Sequence, residues 1–293
     1  MVFGAAPARP GEPILPQWWR TVDRWSLAAI LVLFLIGMLL NLAASPPLAV
    51  RNGLAPFHYV TRQAVFGAAA LFGMLALSMM APQRLRRYGV IGFGVFFLAL
   101  ALLPVFGTDF GKGAVRWYSL RVISLQPSEF LKPCFAIFAA WLMAASLDDK
   151  GPPGKALSFA VLTLIAAMLA LQPDFGQAAL IVACWALMYF AAGAPVALLG
   201  GIGAGVLGVG WFAYHNSEHV ARRIDGFLAS EVDPRTQIGY ATAAIQEGGF
   251  FGVGIGDGTV KWTLPDAHTD FIIAVAAEEF GLVLCVVVLA LYL

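Results

Sequence analysis

Long apolar runs separated by short polar segments organise the whole chain. Eight can be marked, at 25–44, 64–80, 89–106, 133–147, 156–171, 178–192, 196–214 and 271–293. Most approach the roughly 20 residues that an α-helix needs to cross a bilayer. None has the strict alternation of a membrane barrel strand, so helices are the expected elements. The fourth run is short and is expected to begin within the preceding QPSEF segment. The seventh is Gly-rich, which permits close helix packing. The predicted fold is all-α: a polytopic integral membrane protein with eight transmembrane helices and one long polar interval, 215–269, between helices seven and eight. Residues 1–24 read as a tail and 25–293 as the transmembrane domain. Trp18 and Trp19 beside Arg20 suit the headgroup zone at the end of that tail.

Composition agrees with this class: 60% of the residues are hydrophobic and 12% charged. A net charge of +1 removes any whole-protein electrostatic argument for a nucleic-acid partner. Cys134, Cys184 and Cys285 each lie in an apolar run, at spacings that match no metal or disulfide pattern.

Charge placement predicts orientation. Arg84, Arg86 and Arg87 crowd the short loop after run two and share a side with the basic N-terminal segment, so both are assigned to the cytoplasm. The loops after runs one, three, five and seven then face outward, including 215–269. They nonetheless carry Lys112, Arg116, Arg121, Lys132, Arg222, Arg223, Arg235 and Lys261. Excess base on the translocated side runs against the usual bias. An anionic ligand at the outer face accounts for it, and so would bases resting on lipid headgroups.

The chemistry concentrates in KWTLPDAHTDFIIAVAAEE, residues 261–279. Its polar half holds Asp266, His268, Thr269 and Asp270, and the apolar run behind it carries Glu278 and Glu279. Ionisable groups inside a span are costly and mark function, although an acidic cap followed by a buried structural pair is the plainer account. Asp270 stands where the last helix is expected to begin, with Asp266 one turn earlier if that helix extends outward. His268 could act as a base through its ordinary pKa. Glu278 would lie about 12 Å deeper at the standard rise, too far to share a proton with Asp270. It is expected to stabilise a cavity or to pair with a base from another span.

Three further stretches carry polar groups to the membrane boundary. In GKGAVRWYSLRVISLQPSEFLKP, Arg116 beside Trp117 and Tyr118 forms an interfacial patch. Gln126, Pro127, Ser128 and Glu129 fit a helix start, with Glu129 near the positive end of the dipole. Glu129 and Lys132 are one helical turn apart, so they can pair, either structurally or lining a cavity. Asp174 sits in QPDFGQ, which is either a simple turn or a re-entrant break. The glycines of GGFFGVGIGDGTVK lack the strand–loop–helix setting and GK[ST] ending of a phosphate loop, and are expected to allow a tight path beside a lipid or another helix.

Taken together, GAVRWYSLRVISLQPSEFLKP, QPDFGQ, AIQEGGFFGVGIGDGTVK and LPDAHTDFIIAVAAEEFG resemble, in order and over the same loops, the SEDS family, the FtsW/RodA membrane proteins of bacterial cell-wall synthesis. The LPDAHTDF and WWRTVDRW stretches look closer to the FtsW branch. The resemblance covers essentially the whole chain. The family typically has ten spans, so eight imply a C-terminally truncated form. The resemblance implies a peptidoglycan glycosyltransferase of the inner membrane at the division septum, polymerising lipid II with release of undecaprenyl diphosphate. Alternatives are a lipid II flippase and a non-catalytic divisome scaffold. The acceptor hydroxyl needs a base and the leaving diphosphate needs positive charge. The family pattern singles out Asp270 as that base. Arg116, Trp117, Gln126, Ser128, Glu129, Lys132, Asp174, Lys261, His268 and Thr269 become substrate-binding candidates, with Asp266, Glu278 and Glu279 in support. A divalent cation, Mg2+ or Mn2+, would suit the charge, but no ligand cluster marks a site for it. The implied partners are lipid II, a class B penicillin-binding protein and other divisome membrane proteins.

Overall fold

Asp23 starts the first long helix. Its carboxylate accepts from the Ser26 hydroxyl and from the Trp25 and Ser26 amides, which holds its pKa below the ordinary aspartate value. The computed structural model describes residues 14–109, 115–120, 123–148, 150–193, 195–216, 218–228, 233–264 and 267–293. Within them the chain is built from helices α1 (Ile14–Thr21), α2 (Arg24–Arg51), α3 (His58–Ser78), α4 (Pro82–Phe106), α5 (Pro127–Ala145), α6 (Gly154–Leu171), α7 (Phe175–Ala191), α8 (Val196–Asn216), α9 (Glu218–Leu228), α10 (Gln237–Gly248) and α11 (Ile272–Tyr292). A two-residue antiparallel hairpin, β1 (Tyr118–Ser119) and β2 (Ser124–Leu125), precedes α5.

Six of these, α2 to α6 and α11, are long and apolar enough to cross a membrane among the described residues. The chain is a multi-pass membrane protein. α7, at 17 residues, is apolar but shorter. The expected start of run four within QPSEF is correct: Pro127 occupies the first turn of α5, where its missing amide costs nothing. Other boundaries differ: α3 and α4 begin at His58 and Pro82, ahead of the apolar runs at 64 and 89. α2 runs on to Arg51 through Pro46 and Pro47, and the Asn52 and Gly53 amides close it on the Leu48 and Val50 carbonyls. The polar interval 215–269 contains α9 and α10. In α9, Val220, Ile224 and Leu228 recur every turn between charged residues. α10 is capped by the Thr236 hydroxyl, which accepts from the Gly239 amide at 3.1 Å.

The helices form two compact units. One holds α4 to α8. Phe93, Leu100 and Leu103 of α4 meet Leu131, Phe135, Ala139 and Met143 of α5, at the four-residue spacing that lines one helix face. Leu162, Ile165 and Leu169 of α6, with Ile181 and Trp185 of α7, complete that core. The Trp185 indole donates to the Ser158 hydroxyl, so its burial leaves no polar atom stranded.

The other unit holds α1 to α3 with α9 to α11. Polar groups bind α2 to α3 inside their apolar spans: the Ser45 hydroxyl donates to the Asn41 side-chain Oδ1, and the Asn41 side-chain amide donates to Gln63 Oε1. Trp18 of α1 donates to the Ser78 hydroxyl at the far end of α3. α11 is not continuous. Gly281 adopts φ 76°, ψ −175°, and the segment after α10 threads through the break. The Val253 and Gly254 amides donate to the Glu278 and Glu279 carbonyls, while the Leu282 and Val283 amides donate to Gly249 and Phe250. Backbone groups released by the break are thereby satisfied without water, as a membrane interior requires.

Candidate functional site

The α10-to-α11 connection carries the first cluster. Behind the break, Glu278 is fully buried, and its two carboxylate oxygens accept the Val260 and Lys261 amides at 2.7 and 3.0 Å. These amides open the 3-10 turn Val260–Trp262, where a negative charge is favoured. Glu279 accepts from the Lys261 ammonium, which also donates to the Gly256 carbonyl at 3.3 Å. Lys261, grouped from the sequence with substrate-facing residues, is only 7% exposed. Glu278, expected to stabilise a cavity or to pair with a base from another span, instead holds backbone amides, and the lysine of the preceding connection pairs with Glu279. Removing one partner of such a buried pair costs about 3–5 kcal/mol, because the other charge is left stranded. The second oxygen of Glu279 has no hydrogen-bond partner among the described residues.

Beyond that anchor the chain turns back toward α11. Leu264 and Ala267 pack with Ala44, Ala244, Ala274 and Val275. Asp266 lies outside the described residues. His268, Thr269 and Asp270 follow in a turn that ends where α11 begins at Ile272, so Asp270 precedes the helix rather than standing in it. Asp270 is exposed, and no described residue engages its carboxylate. The His268 ring meets the Tyr59 ring at 5.0 Å between centroids. It also lines two cavities. One, of about 290 Å³, includes Leu48, Arg51, Lys261 and Trp262. The other, of about 430 Å³, includes Gly37, Asn41, Tyr59, Gln63 and Thr269. Asn41, Tyr59 and Gln63 are absent from the sequence-based candidates. A faint signal for Asn41 exists, since it and Ser45 are one turn apart in an otherwise apolar run.

The second cluster belongs to the α4–α8 unit and joins the hairpin and α5 to the α6–α7 turn. Arg116 donates through Nε to the Gln172 carbonyl at 2.9 Å and through Nη2 to the Pro173 carbonyl at 2.6 Å. Its charge thus faces carbonyls at the negative end of α6. The Gln126 amide donates to Asp174 at 3.3 Å. Glu129 accepts from Lys132 at 2.7 Å on one oxygen and from Gln177 at 2.5 Å on the other. QPDFGQ is therefore a tight turn whose flanking groups hold the start of α5. Trp117 is exposed beside Tyr118, whose phenol donates to the Ala99 carbonyl and whose pKa is raised by burial. Ser128 is buried, and its hydroxyl has no partner among the described residues. Lys112 and Arg121 lie outside the described residues. Among those described, two bases, Arg116 and Lys132, face two acids, Glu129 and Asp174, so this cluster carries no local charge excess. No group of three or more His, Cys, Asp or Glu side chains is gathered for a metal ion among the described residues.

Comparison with known proteins extends over nearly the same chain. The family of cell cycle proteins comprising FtsW, RodA and SpoVE matches residues 24–293. A probable peptidoglycan glycosyltransferase FtsW of Caulobacter vibrioides is 38% identical over 280 residues, covering 94% of this chain and 71% of the relative. A protein of the same description from Alkalilimnicola ehrlichii is 36% identical over 285 residues, covering 94% and 70%. Among solved structures, a chain of a peptidoglycan synthase complex that coordinates polymerization and crosslinking superposes with a TM-score of 0.69 at 24% identity, over 94% of this chain and 76% of that one. The rod shape determining protein RodA of Thermus thermophilus gives 0.55 at 22% identity, over 94% and 72%. These two likenesses establish the fold.

Proposed function

We propose that this chain, which belongs to the FtsW, RodA and SpoVE family of cell cycle proteins, is a peptidoglycan glycosyltransferase that polymerises lipid II. It works in the bacterial inner membrane at the division septum, with eight spans and a cytoplasmic N-terminus. The acceptor sugar hydroxyl attacks the anomeric carbon of the donor, the bond to the lipid diphosphate breaks, and the hydroxyl proton passes to a base. That base is Asp270. One observation carries the assignment: Asp270 is the exposed, unengaged acid of the family-matching HTDF stretch, in a turn directly ahead of a span. Glu278 and Glu279 are both held by other groups.

His268 and Thr269 line the cavity beside this turn and are proposed to contact the sugar. Arg116, Trp117, Gln126, Ser128, Glu129, Lys132 and Asp174 are proposed to bind the substrate through the second cluster. There Lys132 and the remaining Arg116 guanidinium nitrogen are the positive groups available to the diphosphate. Asp266 retains its supporting role. No step is assigned to a metal ion. The partner is a class B penicillin-binding protein that crosslinks the new strand, alongside other divisome membrane proteins. A fold shared with a chain of a polymerizing and crosslinking complex supports that pairing.

Purified protein given lipid II should form glycan with no other transferase present. The Asp270→Asn variant keeps its shape but cannot accept the proton. It should insert and bind its partner yet lose polymerisation by a factor on the order of 100 or more. Near-normal synthesis would remove Asp270 from the role.

A further inference from the structure

The buried trio of Lys261, Glu278 and Glu279 is not reached by the proposed chemistry, yet it ties one turn to α11 through three contacts. Glu278 grips two successive amides of the 3-10 turn, and Glu279 grips the side chain of the same turn. The approach is possible only because residue 258 is glycine: a β-carbon there would stand 2.8 Å from the Glu278 carboxyl carbon and 2.9 Å from one of its oxygens. Both acids lie on α11, less than two turns beyond its first residue, Ile272. Lys261 is therefore fixed to α11 at the trio, and residues 267–271 lead into its first residue, Ile272, so the approach to the helix is tied to it at two points. Asp270 rides near the end of that approach.

We propose that Glu278, Glu279 and Lys261 are positioning residues that fix the approach of the Asp270 turn to the acceptor hydroxyl. The physical ground is geometric. A short loop with both ends held by a buried helix has few conformations, so the carboxylate it carries is aligned before substrate arrives. Freeing one end returns conformational freedom to the loop without altering the charge of Asp270 itself. Glu278 supplies the larger share, because its two backbone bonds fix the main chain rather than a side chain.

The inference rests on the reading of Asp270 as base, and the two fail separately. The base reading fails on Asp270→Asn alone, whereas the clamp fails in a chain whose Asp270 is intact. Two variants loosen the clamp. Glu278→Gln turns one accepting oxygen into an amide that opposes a backbone N–H. Gly258→Ala displaces the carboxylate and leaves every charge in place. Polymerisation of lipid II by the full-length protein with its partner, normalised to monodisperse folded protein, should fall about 10-fold in kcat for each, with KM within about twofold. In the Asp270→Asn background neither change should lower the residual rate further, since no aligned base remains to be lost. A change that only reduces the competent fraction would lower that residual rate by the same factor as before. Full kcat in either folded variant, an equal loss in the Asp270→Asn background, or failure of both variants to fold would overturn the proposal and leave the trio a stabilising element alone.

Discussion

Glu129 and Lys132 show how much a single pair contributes at a membrane boundary. Their carboxylate and ammonium meet at 2.7 Å, but the side chains are 46% and 23% exposed, so solvent screens much of the attraction. A coupling of about 0.5 kcal/mol is expected, in the range of exposed pairs one helical turn apart. The charge-swapped double variant, Glu129→Lys with Lys132→Glu, should recover more thermal stability than either single swap leaves. Gln177 would tolerate the exchange, because its amide can present its oxygen to the new lysine. Strict additivity in that cycle would show the two side chains to be independent. This pair was legible in the sequence because a three-residue spacing on a helix already states a contact. The partner of Glu279 was not. Lys261 precedes it by eighteen positions and reaches it only because a loop folds back, and spacing along one helix face carries no information about that.

At the scale of elements, apolar run length located the spans, and the QPSEF chemistry located the start of α5. The break in α11 escaped notice because Gly281 lies in an apolar run where a single glycine reads as a tolerated helical residue. Its signal was indirect. The glycine-rich stretch after α10, expected to run tightly beside a lipid or another helix, lies against α11 and bonds the backbone exposed at the break. α9 and α10 are hidden for a different reason: their polar faces lower the hydropathy of the interval, so apolar run length does not reveal them. Gly281→Ala tests whether the break is obligatory. A β-carbon at φ 76° is strained, and it would also run into the Phe250 carbonyl. The variant should lose about 2–4 kcal/mol of stability, read as a lower thermal midpoint of the detergent-solubilised protein. An unchanged midpoint would mean that α11 can run straight through and that the threaded loop is dispensable.

Across the whole molecule, the side of the membrane on which Asp270 lies follows from counting crossings. The contact of Tyr59 with His268 places the α2–α3 turn and the Asp270 turn at one end of their unit, and the bond from Trp18 to Ser78 marks the other end. The chain must therefore cross an odd number of times between the end of α3 and the start of α11. All of α4 to α8 gives five crossings, and the three that are long and apolar enough, α4, α5 and α6, also give an odd number. The side of Asp270 thus does not depend on whether α7 and α8 both span. The arginines at the start of α4 are predicted to set the sign: exposed Arg84, Arg86 and Arg87 suit the cytoplasm, which would put 215–269 in the periplasm and both ends of this 293-residue chain in the cytoplasm. Chains in which Cys134, Cys184 and Cys285 are replaced and one cysteine is introduced at exposed Arg235 or Arg86 would read this directly. The Arg235→Cys chain should react with a membrane-impermeant maleimide once the outer membrane alone is opened, and the Arg86→Cys chain only after the inner membrane is permeabilised. The reverse pattern would put Asp270 in the cytoplasm, away from the glycan it is proposed to extend.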